Sequence, residues 1–213
     1  MAILDPRSLR VYVVSSSGLA AGLGHRDLIL AAIEGGATAV QLRAPELPDA
    51  ELRSLAEDLA GRCREAGVLF VVNDRVDVAV AIGAGAHVGQ GDEPEAARAR
   101  LGRSGVLGVS VSSVEQALAA AGAGADYLAV TVWATRTKPE ATPQGIHGLR
   151  AVVDATDLPV VAIGGIDAVN AREVLEAGAS GVAVVSAIGA ATDPAAATRN
   201  LVATVDGRGT GER

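Results

Sequence analysis

Aromatic side chains make up only 2% of these 213 residues: one tryptophan, one phenylalanine and two tyrosines. The 49% apolar content therefore has to build its core from Ala, Val, Leu and Ile, which suits many short, tightly packed strands and helices. Aromatic platforms for stacking single-stranded nucleic acid are excluded. Cysteine occurs once, at Cys63, so neither an internal disulfide nor a cysteine-rich metal site can form. No apolar run reaches the length of a membrane span. The opening residues, MAILDPRSLR, show no basic region followed by an apolar stretch. No secretory signal is expected, and the cytoplasm is the expected location. The formal charge is −7 and the arginines are scattered rather than striped, which argues against nucleic acid as a partner. Phosphate recognition in such a chain has to be local, built from a few cations and backbone amides. Lysine occurs once, at Lys138, five positions after the single tryptophan, Trp133.

Glycine is plentiful, with 26 spread along the chain, and the chain alternates between strand-like and helix-like runs. Strands are predicted at RVYVV (10–14), AVQLR (39–43), LFVVN (69–73), AHVG (86–89), VLGVSV (106–111), YLAVTV (127–132), PVVAIG (159–164) and GVAVVS (181–186). Most are continuous apolar runs, as strands covered on both faces read. Between the second and third, Leu52, Leu55, Leu59 and Cys63 recur at steps of three and four, an apolar helical stripe. GGATAV, GAGAHV, GAGADYL and AGASGV precede every second strand. In each, a helix is expected to stop at glycine, which accepts the left-handed conformation of a helix end. Eight strands alternating with helices in this length predict a single-domain (β/α)8 TIM barrel over residues 1–205. DGRGTGER (206–213) reads as a disordered tail. The rival, an open doubly wound sheet, would carry G-x-G-x-x-G after its first strand; SSSGLAAGLG has the wrong spacing.

A barrel places its working groups where strands end and loops begin. Gln41 and Arg43 fall there after the second strand, Asn73 and Asp74 after the third, Gln90 and Asp92 after the fourth. Ser110 and Ser112 follow the fifth, and Thr135, Arg136, Thr137 and Lys138 the sixth. Asp74 and Asp92, on neighbouring strand ends, could share a hard cation such as Mg2+; alternatively Asp74 caps the next helix. IGGI (163–166) and SAI (186–188) follow the last two strands, the usual place for a barrel's phosphate site, although Gly164 and Gly165 also suit a plain tight turn. Arg136 and Lys138 stand in a hydroxyl-rich loop as an anion clamp or as ordinary surface cations. His25, His87 and His147 are scattered, and His87 reads as a packed or exposed histidine rather than a catalyst.

With these motifs the sequence resembles the thiamine phosphate synthase and TenI family over roughly residues 10–203. The resemblance rests on GATAVQLR, VNDRVDVAVAIGAGAHVGQGD, GVSVSS, TRTK, PVVAIGGI, AGASGVAVVSAI and the DP at 193–194. It implies a transferase that joins hydroxymethylpyrimidine diphosphate to thiazole phosphate: diphosphate departs, and the thiazole nitrogen captures the pyrimidine carbocation. By the same resemblance Asp74 and Asp92 bind Mg2+, while Arg43, Asn73, Ser110 and Lys138 hold the diphosphate, with Gln41 positioning that end. Lys138, Ser110 and Arg43 are the implied catalytic residues. Thr135 and Thr137 fall on the thiazole-phosphate side, and Gly165, Val185 and Ser186 bind that phosphate through backbone groups. Small phosphorylated substrates are the implied partners, with a homodimer as a further option.

Three departures stand out. Pro45 replaces the lysine expected two residues after Arg43, Thr131 stands where a Gly-Pro precedes the TRTK loop, and Ser112 replaces a histidine. Arg136 is the candidate to stand in for the lost lysine. These departures leave open a divergent paralogue that binds a phosphorylated ligand with altered chemistry. A TenI-type thiazole tautomerase is disfavoured because Ser112 holds the position of its proton-transferring histidine.

Overall fold

Most strand residues are buried on both faces, which a parallel sheet achieves by closing on itself and wrapping its outside in helices. The computed structural model describes residues 4–19, 23–89, 93–135, 137, 139 and 141–207. It contains eight parallel strands: β1 Val11–Val14, β2 Ala39–Leu42, β3 Leu69–Asn73, β4 Gly85–Val88, β5 Leu107–Val111, β6 Tyr127–Thr131, β7 Val160–Ile163 and β8 Gly181–Val184. Each pairs with the next, and β8 returns to β1, so the sheet is a closed barrel. The helices are α1 His25–Glu34, α2 Asp49–Ala66, α3 Val76–Ile82, α4 Pro94–Leu101, α5 Val114–Gly122, α6 Gly145–Ala155, α7 Ala171–Glu176, α8 Ser186–Gly189 and α9 Pro194–Val205. Every strand expected from the sequence is present, with ends that differ by at most two residues. Asp206 and Gly207 form the turn that ends α9, and the rest of the expected tail lies outside the described residues. Among the described residues no helix is long and apolar enough to cross a membrane.

The helices begin and stop where the local chemistry directs. Asp193 accepts the Ala196 N–H at 2.9 Å and Pro194 opens α9; Ser113 accepts the Gln116 N–H at the start of α5. The four glycine signals fall at helix ends, with Gly36, Gly83, Gly124 and Gly178 all at positive φ. On α2, Leu52, Leu59 and Cys63 are buried with Ala56 and Ala60, so the apolar stripe faces the barrel. Burial pushes the Cys63 thiol up to about 12, which keeps it a neutral, inert core group.

Two apolar layers result. The larger lies between strands and helices. The smaller fills the barrel's interior, from Leu9, Tyr12, Val14, Ala39, Val71, Tyr127, Val161 and Ala183. Both tyrosines of the chain are in this inner layer, edge to face with ring centroids 6.1 Å apart. At the N-terminal face Arg98 of α4 spans the gap to β6. It donates to the Gly124 carbonyl at 2.9 Å and the Gly105 carbonyl at 2.7 Å, and pairs with Asp126 at 2.5 Å. Asp126 in turn accepts the Leu107 N–H at 2.7 Å.

The Tyr127 ring fits because its neighbour on β5, Gly108, has no side chain. A Cβ there would lie 2.1 Å from the ring. Gly108→Ala is therefore expected to cost about 1–3 kcal/mol through overpacking. Thermal melting should show it as a fall of several degrees; an unchanged melting temperature would mean the ring has space to move.

Candidate active site

The C-terminal ends of the strands surround a cavity open to solvent above. Its walls bring together Gln41, Arg43, Asn73, Ser110, Thr135, Thr137, Gly165, Val185 and Ser186. These nine residues come from strand ends and loops spread over 146 positions of sequence, and the barrel's closure alone makes them neighbours. Asp74 follows Asn73 but does not line this cavity; it lines a surface recess with Asp49, Arg53 and Arg75. Its φ is +59°, the left-handed region that aspartate tolerates better than most side chains, and its N–H donates to the His87 carbonyl at 2.9 Å. Arg75, one residue on, is the N-cap of α3. Asp92, Lys138, Arg136 and Gln90 lie outside the described residues.

One wall is apolar at its base, with Val14, Ala129, Val161 and Ala183 pointing inward. The opposite side holds the polar groups. Gln41 is buried deeper than the others and donates from Nε2 to the Tyr12 hydroxyl at 2.7 Å. Ser110 Oγ lies 2.9 Å from His87 Nε2. His87 is buried and bonded at both ring nitrogens, so it is a packed histidine, but a polar one that reaches the cavity wall. Thr135 and Thr137 join through their hydroxyls at 2.9 Å. The Ser112 hydroxyl instead donates to the Gln116 side chain at the start of α5.

After β7 the chain makes two left-handed steps, Gly164 at φ +93° and Gly165 at +66°. Trp133 packs against them. A Cβ on Gly164 would meet the Trp133 carbonyl oxygen at 2.6 Å, and one on Gly165 the Trp133 Cβ at 3.1 Å. Both conformation and contact exclude a side chain, so this turn presents bare backbone to the cavity. Asn170 ties its far side by donating to the Gly165 carbonyl at 2.9 Å.

A second polar group, which the sequence did not suggest, braces Arg43. The Arg43 N–H donates to Ser15 Oγ at 3.2 Å, Ser15 lies 2.9 Å from His25 Nδ1, and His25 Nε2 lies 2.7 Å from Glu46. Ser15 follows β1 and Glu46 follows Pro45, so this clasp joins two loops. Ser15 is fully buried, which suits a brace and not a nucleophile. Its signal in the sequence was position: Ser15 ends the first strand, the one strand end to which no role is given above. The His25 hydrogen bond holds the Glu46 carboxyl below its ordinary range, assisted by Ser17.

Comparison with known proteins gives the arrangement a context. Residues 11–188 match the family described as thiamine monophosphate synthase. A thiamine-phosphate synthase of Chloroflexus aurantiacus is 50% identical over 199 residues, 92% of each chain. One of Moorella thermoacetica is 46% identical over 90% of this chain and 93% of its own. The solved structure of a thiamine phosphate pyrophosphorylase from Pyrococcus furiosus is similar with a TM-score of 0.87 and 40% identity, covering 95% of this chain and 98% of that one. A 3-hexulose-6-phosphate synthase shares the fold alone, at a TM-score of 0.69 and 19% identity over 92% of this chain and 99% of its own.

The clasp has a pH signature. Glu46 titrates below its ordinary 4.5 in the folded protein. Its contribution is therefore present above pH 4.5 and is lost as pH falls through the lower folded value. Glu46 is 42% exposed, so the contribution is at most about 1 kcal/mol. Glu46→Gln should melt slightly lower than the parent at pH 7, and the two should converge as melts are taken to pH values well below 4.5. Curves separated equally at every pH would show that this titration does not contribute.

Proposed function

The chain belongs to the thiamine monophosphate synthase family, and on that premise we propose that it joins hydroxymethylpyrimidine diphosphate to thiazole phosphate with release of diphosphate. The observation that carries the reading is one cavity with two separate polar sides, each suited to an anion. Arg43, Asn73 and Ser110 line one, and the Gly164–Gly165 turn with Val185 and Ser186 lines the other. Two phosphorylated substrates held this way meet over the apolar base between them.

The pyrimidine methylene–oxygen bond breaks with its electron pair leaving on the diphosphate, and the thiazole nitrogen lone pair forms the new carbon–nitrogen bond. No proton has to move for that exchange, so the protein's task is to hold charge and exclude water. Arg43 offers a planar, permanently charged fork to the leaving diphosphate. Asn73 and Ser110 add neutral donors, and Lys138 is assigned to the same anion. Thr135 and Thr137 serve the thiazole-phosphate side, where backbone N–H groups of Gly165, Val185 and Ser186 bind the phosphate. Val14, Ala129, Val161 and Ala183 keep water from the reacting carbon.

Mg2+ asks for one or two carboxylates, with water and phosphate oxygens completing its shell, and Asp74 follows Asn73 of the cavity wall. Asp74 and Asp92 would hold it. When bound, the ion offsets charge that develops on the departing diphosphate. The tautomerase alternative would require proton transfer at the position of Ser112, whose hydroxyl is engaged with Gln116.

The test is direct formation of thiamine phosphate from the two substrates with Mg2+. Asp92→Asn should lower the rate by about 10²-fold or more; no product above that variant would overturn the proposal and favour a paralogue with other chemistry. Arg136→Ala should weaken diphosphate binding if Arg136 replaces the lysine lost at Pro45, and unchanged affinity would exclude that substitution.

A further inference from the structure

Beneath the cavity, five side chains from five strands form one hydrogen-bonded row. Gln41 Nε2 meets the Tyr12 hydroxyl at 2.7 Å, and the Tyr12 hydroxyl meets that of Tyr127 at 3.0 Å. Tyr127 meets His87 Nδ1 at 3.0 Å, and His87 Nε2 meets Ser110 Oγ at 2.9 Å. Burial raises the pKa of both phenols above the ordinary tyrosine value, so each keeps its single proton. A neutral imidazole likewise carries one proton. When every inner proton is used inside the row, each inner member donates on one side and accepts on the other, which leaves two consistent directions.

In one direction Gln41 donates to Tyr12, Tyr12 to Tyr127, and Tyr127 to His87 Nδ1. His87 Nε2–H then donates to Ser110, whose own proton is left for the cavity. In the other, Ser110 donates to His87, every bond reverses, and Ser110 shows the cavity only lone pairs. The reverse direction requires an acceptor at the Gln41 end. Gln41 presents its amide nitrogen there, a group that only donates.

We infer that Gln41 is a positioning residue which, through Tyr12, Tyr127 and His87, holds the Ser110 hydroxyl as a hydrogen-bond donor toward an anionic group in the cavity. This rests on the synthase reading for the identity of that anion, the diphosphate. A hydroxyl rotor free in water has no fixed direction; here its orientation is set before the anion arrives, so no reorganisation is required at the moment of reaction. Buried rows of this kind polarise along their length, so a change at one end is felt at the other.

The direction can be read without substrate. The chain has three histidines, and nitrogen-15 NMR distinguishes the two neutral tautomers, with the His87 signals assigned by their loss in His87→Gln. His87 is expected to carry its proton on Nε2 with Nδ1 bare; a proton on Nδ1 would overturn the inference. Gln41→Glu places an acceptor at the head of the row and should move the His87 proton to Nδ1. An unmoved proton would remove Gln41 from the role.

Inorganic diphosphate with Mg2+ supplies the binding readout. Gln41→Met and Ser110→Ala should each weaken it about tenfold, the loss of one bond to a charged group. The double variant should be no weaker than either single one, because both remove the same donor. A further tenfold loss in the double variant would mean that Gln41 acts on the anion by itself. If Gln41→Met does not fold, the tautomer of the unaltered protein decides. Failure to form thiamine phosphate would sink the synthase reading and leave the tautomer measurement standing, so the two failures are separable.

Discussion

The hydroxyl contact between Tyr12 and Tyr127 constrains the upper half of this barrel more than any other single interaction. Two phenols buried at the centre of a small barrel lose their water and must find partners inside. The Tyr127 ring occupies space that Gly108 leaves empty, and the two hydroxyls reach to Gln41 and His87. Satisfying them fixes side chains from β1, β2, β4, β5 and β6 at once. A slip of one residue in any of these strands would turn its contributor out of the barrel. The polar row thus specifies register where the apolar residues around it, mostly valine and alanine, would tolerate exchange.

The alternation of strands and helices was legible because each signal is local: continuous apolar runs, a helical stripe on α2, and glycine at helix ends. The cavity's membership is legible by counting forward from strand ends for Gln41, Arg43, Asn73, Ser110, Thr135, Thr137, Gly165 and Ser186, while Val185 comes from the family resemblance. The row and the clasp were not. Tyr12 and Tyr127 are 115 positions apart, and no sequence period announces that two rings will share one interior layer. His87 looked like an isolated histidine because its partners arrive from β5 and β6 only after closure. The left-handed turn at Asp74 was hidden too, since aspartate at a strand end gives no sign of its φ.

Stability and chemistry occupy opposite ends of the molecule. At the N-terminal face, Arg98 binds three carbonyls of the β4–β5 and β5–β6 connections, those of Gly102, Gly105 and Gly124, and Asp126 within one shielded cluster. Such a cluster loses several kcal/mol if one charged partner is removed, about 3–5 in comparable buried pairs. At the C-terminal face a loop and a strand end carry two of the departures that the resemblance implies, Pro45 after β2 and Thr131 at the end of β6. The Ser15–His25–Glu46 clasp holds the Arg43 loop from the side, so the loop keeps an anchor although Pro45 brings no N–H and no charge.

Trp133 adds a property of a different kind. It is the single indole of the chain; its carbonyl and Cβ sit against the two glycines whose backbone faces the cavity, and its side chain packs on the apolar layer between strands and helices. Tryptophan emission depends on local polarity and quenching, so the molecule carries an intrinsic optical probe of the layer that backs that turn.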